Sequence, residues 1–299
     1  MKKLPQTKVY GLHPLTGYCY GNRKELNLKD NESIQNGIIK IDLNKEGIFN
    51  ILILGGSTSD IFYNGSWVRP FSKILSKKVK NIFSVACPGY STSQELLRMI
   101  ECIKLVKPKI CISLNGINDF GMIQSYERKY PYMHNYQAKI LNFLVRNRSD
   151  TPTLTNKNIE QFKNIERTFN SVPTSKKKDD GFDTWKSNIE YMNFIAENNN
   201  SKFFSILQPA LGIPNGYKMS EIESLKYNQL IKERTYYEGN LLSFYDKAKQ
   251  YSKKTNFCYN FTATLSNFKN VFEDTRHLNN FGNSILAIEI SSLICKDLT

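Results

Sequence analysis

From Asn50 onward, short apolar runs alternate with longer amphipathic stretches. Five runs have the length and β-branched content of buried strands: 51–54, 82–86, 110–114, 203–207 and 257–261. The intervals between them carry apolar residues at helical spacing. Residues 67–79 place Val68, Phe71, Ile74 and Leu75 along one stripe, and 92–106 place Leu96, Leu97, Ile100 and Ile103 along another. Thr92 and Glu95 stand in capping-box positions at the start of the second. Residues 184–197 read as a helix and 220–253 as one or two helices. Residues 282–297 read as a closing helix with Leu286, Ile290, Leu293 and Ile294 on one face. Strand–helix–strand alternation with right-handed crossovers predicts an α/β chain, a three-layer α/β/α sandwich of the flavodoxin-like kind with about five parallel strands.

Two regions depart from this rhythm. Residues 1–48 are polar and turn-rich, with Gly11, Pro14, Gly17 and Gly21 close together, and are expected to form an arm of short strands or loops against a 49–299 domain. Residues 121–183 are too long for an ordinary connection. Their first half holds Tyr126, Tyr130, Tyr132 and Tyr136, their second half the run Lys176-Lys177-Lys178 followed by Asp179-Asp180. A partly helical insertion, a lid over the strand ends, is expected there.

Charge narrows the partners only a little. With 41 Lys and Arg against 27 Asp and Glu, the formal charge of +14 favours anions of several kinds. Zinc-finger spacing, an RNA-binding signature and a long basic tract are all missing, so nucleic acid is the least favoured partner. The six cysteines are irregularly spaced, and Cys87, Cys111 and Cys258 sit in or beside strand runs, which points to buried thiols and a reducing compartment. The N-terminus has no apolar signal core, and no run is long enough to span a bilayer, so a soluble, cytoplasmic protein is expected. No residue cluster has metal-ligand spacing, so neither a metal nor a cofactor is expected.

The candidate chemistry lies just beyond the strands. Gly55-Gly56-Ser57 follows the first, Cys87-Pro88-Gly89 the second, and Asn115-Gly116-Ile117-Asn118-Asp119 the third; Asp274-Thr275-Arg276-His277 comes after the fifth. Parallel strands bring such ends to one sheet edge. A glycine pair before a serine is by itself a tight turn, and neither the phosphate-loop nor the nucleophile-elbow spacing is present. Taken together, the segments supply the parts for acyl transfer. Ser57 would be the nucleophile, His277 its base, and Asp274 the group that holds the imidazole in one tautomer, side by side with it if the segment is a helical turn. The N–H groups of Ser57 and Gly89 and the Asn118 amide would receive the oxyanion. Ser59 and Ser91 compete with Ser57 but do not follow the glycine pair. Asp119 fits a cap or scaffold role, and His13 and His134 lack an acidic neighbour at a suggestive spacing.

On these four blocks the chain resembles the SGNH (GDSL-like) hydrolases. Gly116-Ile117-Asn118-Asp119 and Asp274-Thr275-Arg276-His277 match the family pattern, and Gly89 occupies the expected position. The serine block departs from it, because Gly56 stands where the family usually has aspartate, as in some members that act on surface glycans. The resemblance covers about residues 49–120 and 184–299. It implies a serine esterase that removes an O-acyl group, most simply O-acetyl, from a carbohydrate, and the positive surface would suit an acidic one. The alternative with the same chemistry is an acyltransferase that passes the acyl group to a sugar, with acetyl-CoA as donor. A non-enzymatic glycan-binding module is the reading from a different class.

Overall fold

Residues 10–13, 15–21, 26–62, 66–75, 78–120, 180–233 and 237–297 are described by a computed structural model. The insertion expected at 121–183 lies outside these residues except for its last four, and so do its tyrosines and His134.

Seven strands form one sheet. The hairpin β3 (Glu32–Gln35) and β4 (Ile38–Asp42) borders β6 (Val79–Ser84), followed by β5 (Phe49–Gly55), β7 (Ile110–Asn115), β8 (Lys202–Leu207) and β9 (Cys258–Asn260). The five strands from β6 to β9 pair parallel, while β3 with β4 and β4 with β6 pair antiparallel. Numbered among themselves, the parallel strands run 2-1-3-4-5, the flavodoxin-like order. β1 (Tyr10–His13) and β2 (Gly17–Tyr20) make a separate antiparallel ribbon. Burial explains the difference between strands. Every residue of β7 is buried, as befits a central parallel strand covered on both faces, whereas β4 alternates and hides only Ile39 and Ile41.

Three further crossovers step from β6 through β7 and β8 to β9, and the first steps the other way, from β5 to β6. Right-handed connections therefore put α2 (Thr92–Val106), α3 (Phe182–Glu197) and α5 (Tyr237–Ser252) on one face and α1 (Val68–Ile74) on the other. The packing agrees: α1 lies on α6 (Asn280–Ile294), and α2 lies on α3, which also meets α5. A further helix, α4 (Glu221–Glu233), precedes α5. Trp185 on α3 is fully buried, and its indole N–H donates to Asn115 Oδ1 at 2.7 Å. Asn115 in turn donates to Ser113 and Ser205, so the centre of the sheet is tied to the helix layer by satisfied polar groups.

Several expectations need correction. The helix expected over 67–79 ends at Ile74, and Val79 opens β6 instead, where its branched, fully buried side chain pairs in register with Phe49. Helix α2 is capped by Ser91 with Gln94, one residue earlier than Thr92 with Glu95. Its expected apolar stripe is also displaced: Ile100 is 54% exposed, while Thr92, Glu95, Arg98, Met99, Cys102 and Val106 face inward. The polar members of that face have partners. Glu95 accepts from the Ser113 hydroxyl, and Arg98 donates to the Gly37 carbonyl and to Glu101 and also contacts His13. Arg98 thereby joins both N-terminal hairpins to α2. The β3–β4 turn is Asn36-Gly37 with φ of 51° and 70°, a type I′ pair matched to hairpin twist.

Asp60, fully buried just past the first parallel strand, accepts from the Tyr20 hydroxyl at 2.5 Å and from Phe62 N. Burial pushes its carboxyl up to about 7, against the opposing pull of Tyr20, Phe62 and Arg69. The unfolded carboxyl titrates near 4, so between about pH 4 and 7 the folded chain keeps a proton that the unfolded chain has released. Stability is therefore expected to be full below that window and to fall as pH rises through it, by at most about 4 kcal/mol from this group. Asp119, raised to about 6 chiefly by burial, adds to the same trend. Thermal midpoints of wild type and Asp60→Asn at pH 4.5 and 7.5 measure the effect. The asparagine variant should show a clearly smaller loss between the two pH values, and an identical loss would exclude Asp60 as its source.

Candidate active site

Strand β5 ends at Gly55, whose φ of 147° and approach to Ser59 leave no room for a side chain; a Cβ there would lie 2.5 Å from Ser59 Oγ. The chain then reverses, with Ser59 N donating to Gly56 O, and Ser57 sits in the turn. Ser59 is fully buried and accepts from the Trp67 indole N–H, and Ser91 is fully buried as the α2 cap, so neither faces a cavity. Ser57 Oγ lies 2.6 Å from His277 Nε2.

His277 and Asp274 do not lie on a helical turn, as the spacing suggested. They occupy a loop closed by an isolated bridge between Phe272 and Leu278, with Glu273 N donating to His277 O. Asp274 Oδ1 accepts from the backbone N–H groups of Arg276 and His277, an Asx-type turn, and Oδ2 lies 2.6 Å from His277 Nδ1. Burial alone would raise the Asp274 carboxyl. The hydrogen bond and charge of His277, with those two N–H groups, hold it instead at about 2. It therefore stays ionised across the whole range in which histidines titrate.

The loops after β6 and β7 complete the edge. Cys87-Pro88-Gly89-Tyr90 is a turn closed by Tyr90 N to Cys87 O, and Gly89, with φ of 81°, takes the position that needs a left-handed residue. Asn118 lies in the helical turn that follows Gly116, and its Nδ2 donates one hydrogen to Tyr90 O at 2.8 Å, which leaves the second. A Cβ on Gly56 would overlap that same Nδ2 and lie 3.1 Å from Tyr90 O. A side chain at position 56 would therefore force the Asn118 amide to shift. Among the described residues the N–H groups of Ser57 and Gly89 have no hydrogen-bond partner.

Ser57, Gly89, Asn118, Asp274 and His277 all line one cavity of about 500 Å³, together with Pro88, Lys226, Gln229, Leu230, Glu233, Thr275 and Arg276. The cavity opens at the carboxyl ends of the parallel strands, between the loops of β5 and β7, where the strand order reverses. It brings together every residue singled out as a nucleophile, base, orienter or oxyanion donor. Asp119 stands behind it as scaffold, accepting from Thr92 N and the Thr92 hydroxyl. His13 lies away from it, between Thr16, Arg98 and Glu101. Among the described residues no group of three or more His, Cys, Asp or Glu is placed to hold a metal ion, and no helix is long and apolar enough to cross a membrane.

Two supports escaped sequence reasoning. Gln208, 3% exposed, accepts from the Thr58 hydroxyl at 3.2 Å, while its carbonyl accepts from the Tyr245 hydroxyl. It steadies the residue next to Ser57 from the end of β8. The dipeptide Gln208-Pro209 after a strand is the only signal it carries. Leu211 N donates to Thr275 O and so anchors the Asp274–His277 loop to the same strand end.

No family model matches the sequence, and no curated protein matches it. Solved structures resemble it in chain course. A catalytic mutant of an acetylxylan esterase from Geobacillus stearothermophilus is 11% identical, over 82% of this chain and 94% of its own, with a TM-score of 0.48. A second acetyl xylan esterase is 12% identical over 82% of this chain and 99% of its own, with a TM-score of 0.46. A GDSL-like lipase from Bacteroides thetaiotaomicron is 16% identical over 83% of this chain and 88% of its own, with a TM-score of 0.43.

Proposed function

We propose that this chain is a serine ester hydrolase of the SGNH kind, acting on an O-acylated carbohydrate, most simply an O-acetyl ester. The observation that carries the reading is the unbroken relay Ser57–His277–Asp274, with both hydrogen bonds at 2.6 Å, in one cavity that Gly89 and Asn118 also line. A serine hydroxyl becomes a competent nucleophile when an imidazole takes its proton, and the imidazole does so from one tautomer only if a carboxylate holds its other nitrogen. Ser57 Oγ attacks the ester carbonyl as its proton passes to His277 Nε2. The oxyanion is received by the Ser57 and Gly89 N–H groups and the second Asn118 hydrogen. His277 returns the proton to the leaving alcohol, and water, deprotonated by the same imidazole, releases the carboxylic acid. No cofactor takes part in this sequence. The chemistry is assigned to residues 49–299; of the expected 1–48 arm, β1 and β2 form a ribbon of their own, whereas β3 and β4 extend the main sheet beside β6.

A fluorophosphonate probe should label the wild type at Ser57, and p-nitrophenyl acetate should turn over in water alone. Absence of labelling under conditions in which the protein is folded would favour a binding module. Turnover that appears only with an added acceptor sugar would move the assignment to an acyltransferase, with acetyl-CoA then tested as donor.

A further inference from the structure

The cavity beside Ser57 is much larger than an acetyl group fills, and polar and charged side chains form part of its lining. Four charged side chains line it, and three of them have partners. Asp274 is engaged by His277. Glu233 accepts from Gln229 Nε2, and Lys226 Nζ donates to the Glu273 carbonyl. The fourth is Arg276, half-buried in the loop between Asp274 and His277. Its backbone N–H is used by Asp274, but among the described residues its guanidinium makes no hydrogen bond or ion pair. Its charge is felt by the buried Tyr245 hydroxyl. Burial, then Tyr237 and Asp119, push that hydroxyl up, and Arg276 pulls against them. A half-buried guanidinium with no ion-pair partner keeps its donors available to an incoming anion, and its planar fork fits an oxyacid group in bidentate fashion.

We infer that Arg276 is a specificity-determining residue that receives an anionic oxyacid group, a carboxylate in the first instance, on the sugar that bears the acyl ester. The inference rests on the esterase reading for the position of the ester at Ser57. With the acyl carbon held there, the inference places the alcohol portion toward Arg276, Lys226 and Gln229, which line the same cavity. A uronic-acid type of sugar presents a hydroxyl for acylation and a carboxylate a few bonds apart, which matches one cavity containing both the relay and the fork. A phosphorylated sugar offers the same oxyacid chemistry.

The test compares kcat/KM on the monoacetates of methyl glucuronoside, methyl glucoside and methyl glucoside 6-phosphate. The wild type is expected to favour the uronate over the neutral sugar by about 10- to 100-fold, the range of a charge-assisted hydrogen-bonded pair. Arg276→Leu should erase that ratio, and Arg276→Lys should restore only part of it, because a point charge lacks the fork. Preference for the phosphate over the uronate assigns the same fork to a phosphoryl group. Equal kcat/KM on charged and neutral acetates in the wild type, or a ratio that survives in Arg276→Leu, overturns the inference and leaves the esterase reading standing. If none of the acetates turns over, the esterase reading falls, and calorimetry on the Ser57→Ala protein decides the binding claim. Methyl glucuronoside binding that is abolished by adding Arg276→Leu sustains it, and binding no different from that of methyl glucoside overturns it.

Discussion

Replacing Ser57 by alanine is expected to lower kcat/KM on p-nitrophenyl acetate by about 10⁴- to 10⁶-fold, the range seen when a member of such a relay is removed. The fold should be retained. The Ser57 hydroxyl bonds to His277 at the cavity wall, and alanine occupies less of the same space without touching the buried partners of Ser59 or Asp60. The thermal midpoint should therefore move by no more than a few degrees, as for substitutions away from core packing. Asp274→Asn is expected to cost about 10⁴-fold, because the amide favours the wrong imidazole tautomer. Its backbone acceptor role towards Arg276 and His277 can be kept by the amide oxygen, so the loop should survive. Undiminished turnover in Ser57→Ala would remove this serine as nucleophile. A large fall in Tm would instead assign it a structural role.

The second large effect is expected from a single methyl group. Gly56→Ala places a Cβ against Asn118 Nδ2 and the Tyr90 carbonyl. Backbone on one side and a hydrogen-bonded amide on the other leave little freedom, so the Asn118 side chain must move. Losing one oxyanion donor of this kind costs about 10²–10³ in rate. The route of the effect can be tested by a double-mutant cycle. If Gly56→Ala acts through the amide, adding it to Asn118→Ala should cost little beyond Asn118→Ala alone. Full additivity of the two losses would mean that the methyl group disturbs Ser57 or the turn instead of acting through the Asn118 amide.

How much of this was legible in the chain depends on what kind of force set each feature. The parallel strands stand out because burial on both faces demands continuous apolar runs, as in 110–114; the structure lengthens the runs at 51–54, 110–114 and 203–207, shifts the one expected at 82–86 back to Val79–Ser84 and trims the one expected at 257–261 to Cys258–Asn260. The start of α2 was harder to place. The segment Ser91-Thr92-Ser93-Gln94-Glu95 offers two overlapping capping boxes, and the choice was made by a distant partner, Ser113, which takes the Glu95 carboxyl. The inward face of α2 departs from its hydropathy stripe for a related reason: hydropathy cannot anticipate that Arg98 will find Gly37 and His13 in the N-terminal hairpins, with Glu101 one turn on along its own helix. The β3–β4 hairpin carries its own signal, Asn36-Gly37 between alternating residues such as Ile34, Ile39 and Ile41. At the candidate site, spacing correctly brought Asp274 and His277 together but suggested a helix. The backbone instead turns because the aspartate's own oxygen ties down the next N–H groups. Arg276 left no trace in sequence patterning, since its interest lies in a missing counter-charge, which only neighbours in space reveal.

The short bridge between Phe272 and Leu278 makes the carboxylate and the imidazole passengers on a single carrier. Any shift of that carrier relative to the sheet widens the gap to the hydroxyl of Ser57 but leaves the internal bond of the pair untouched.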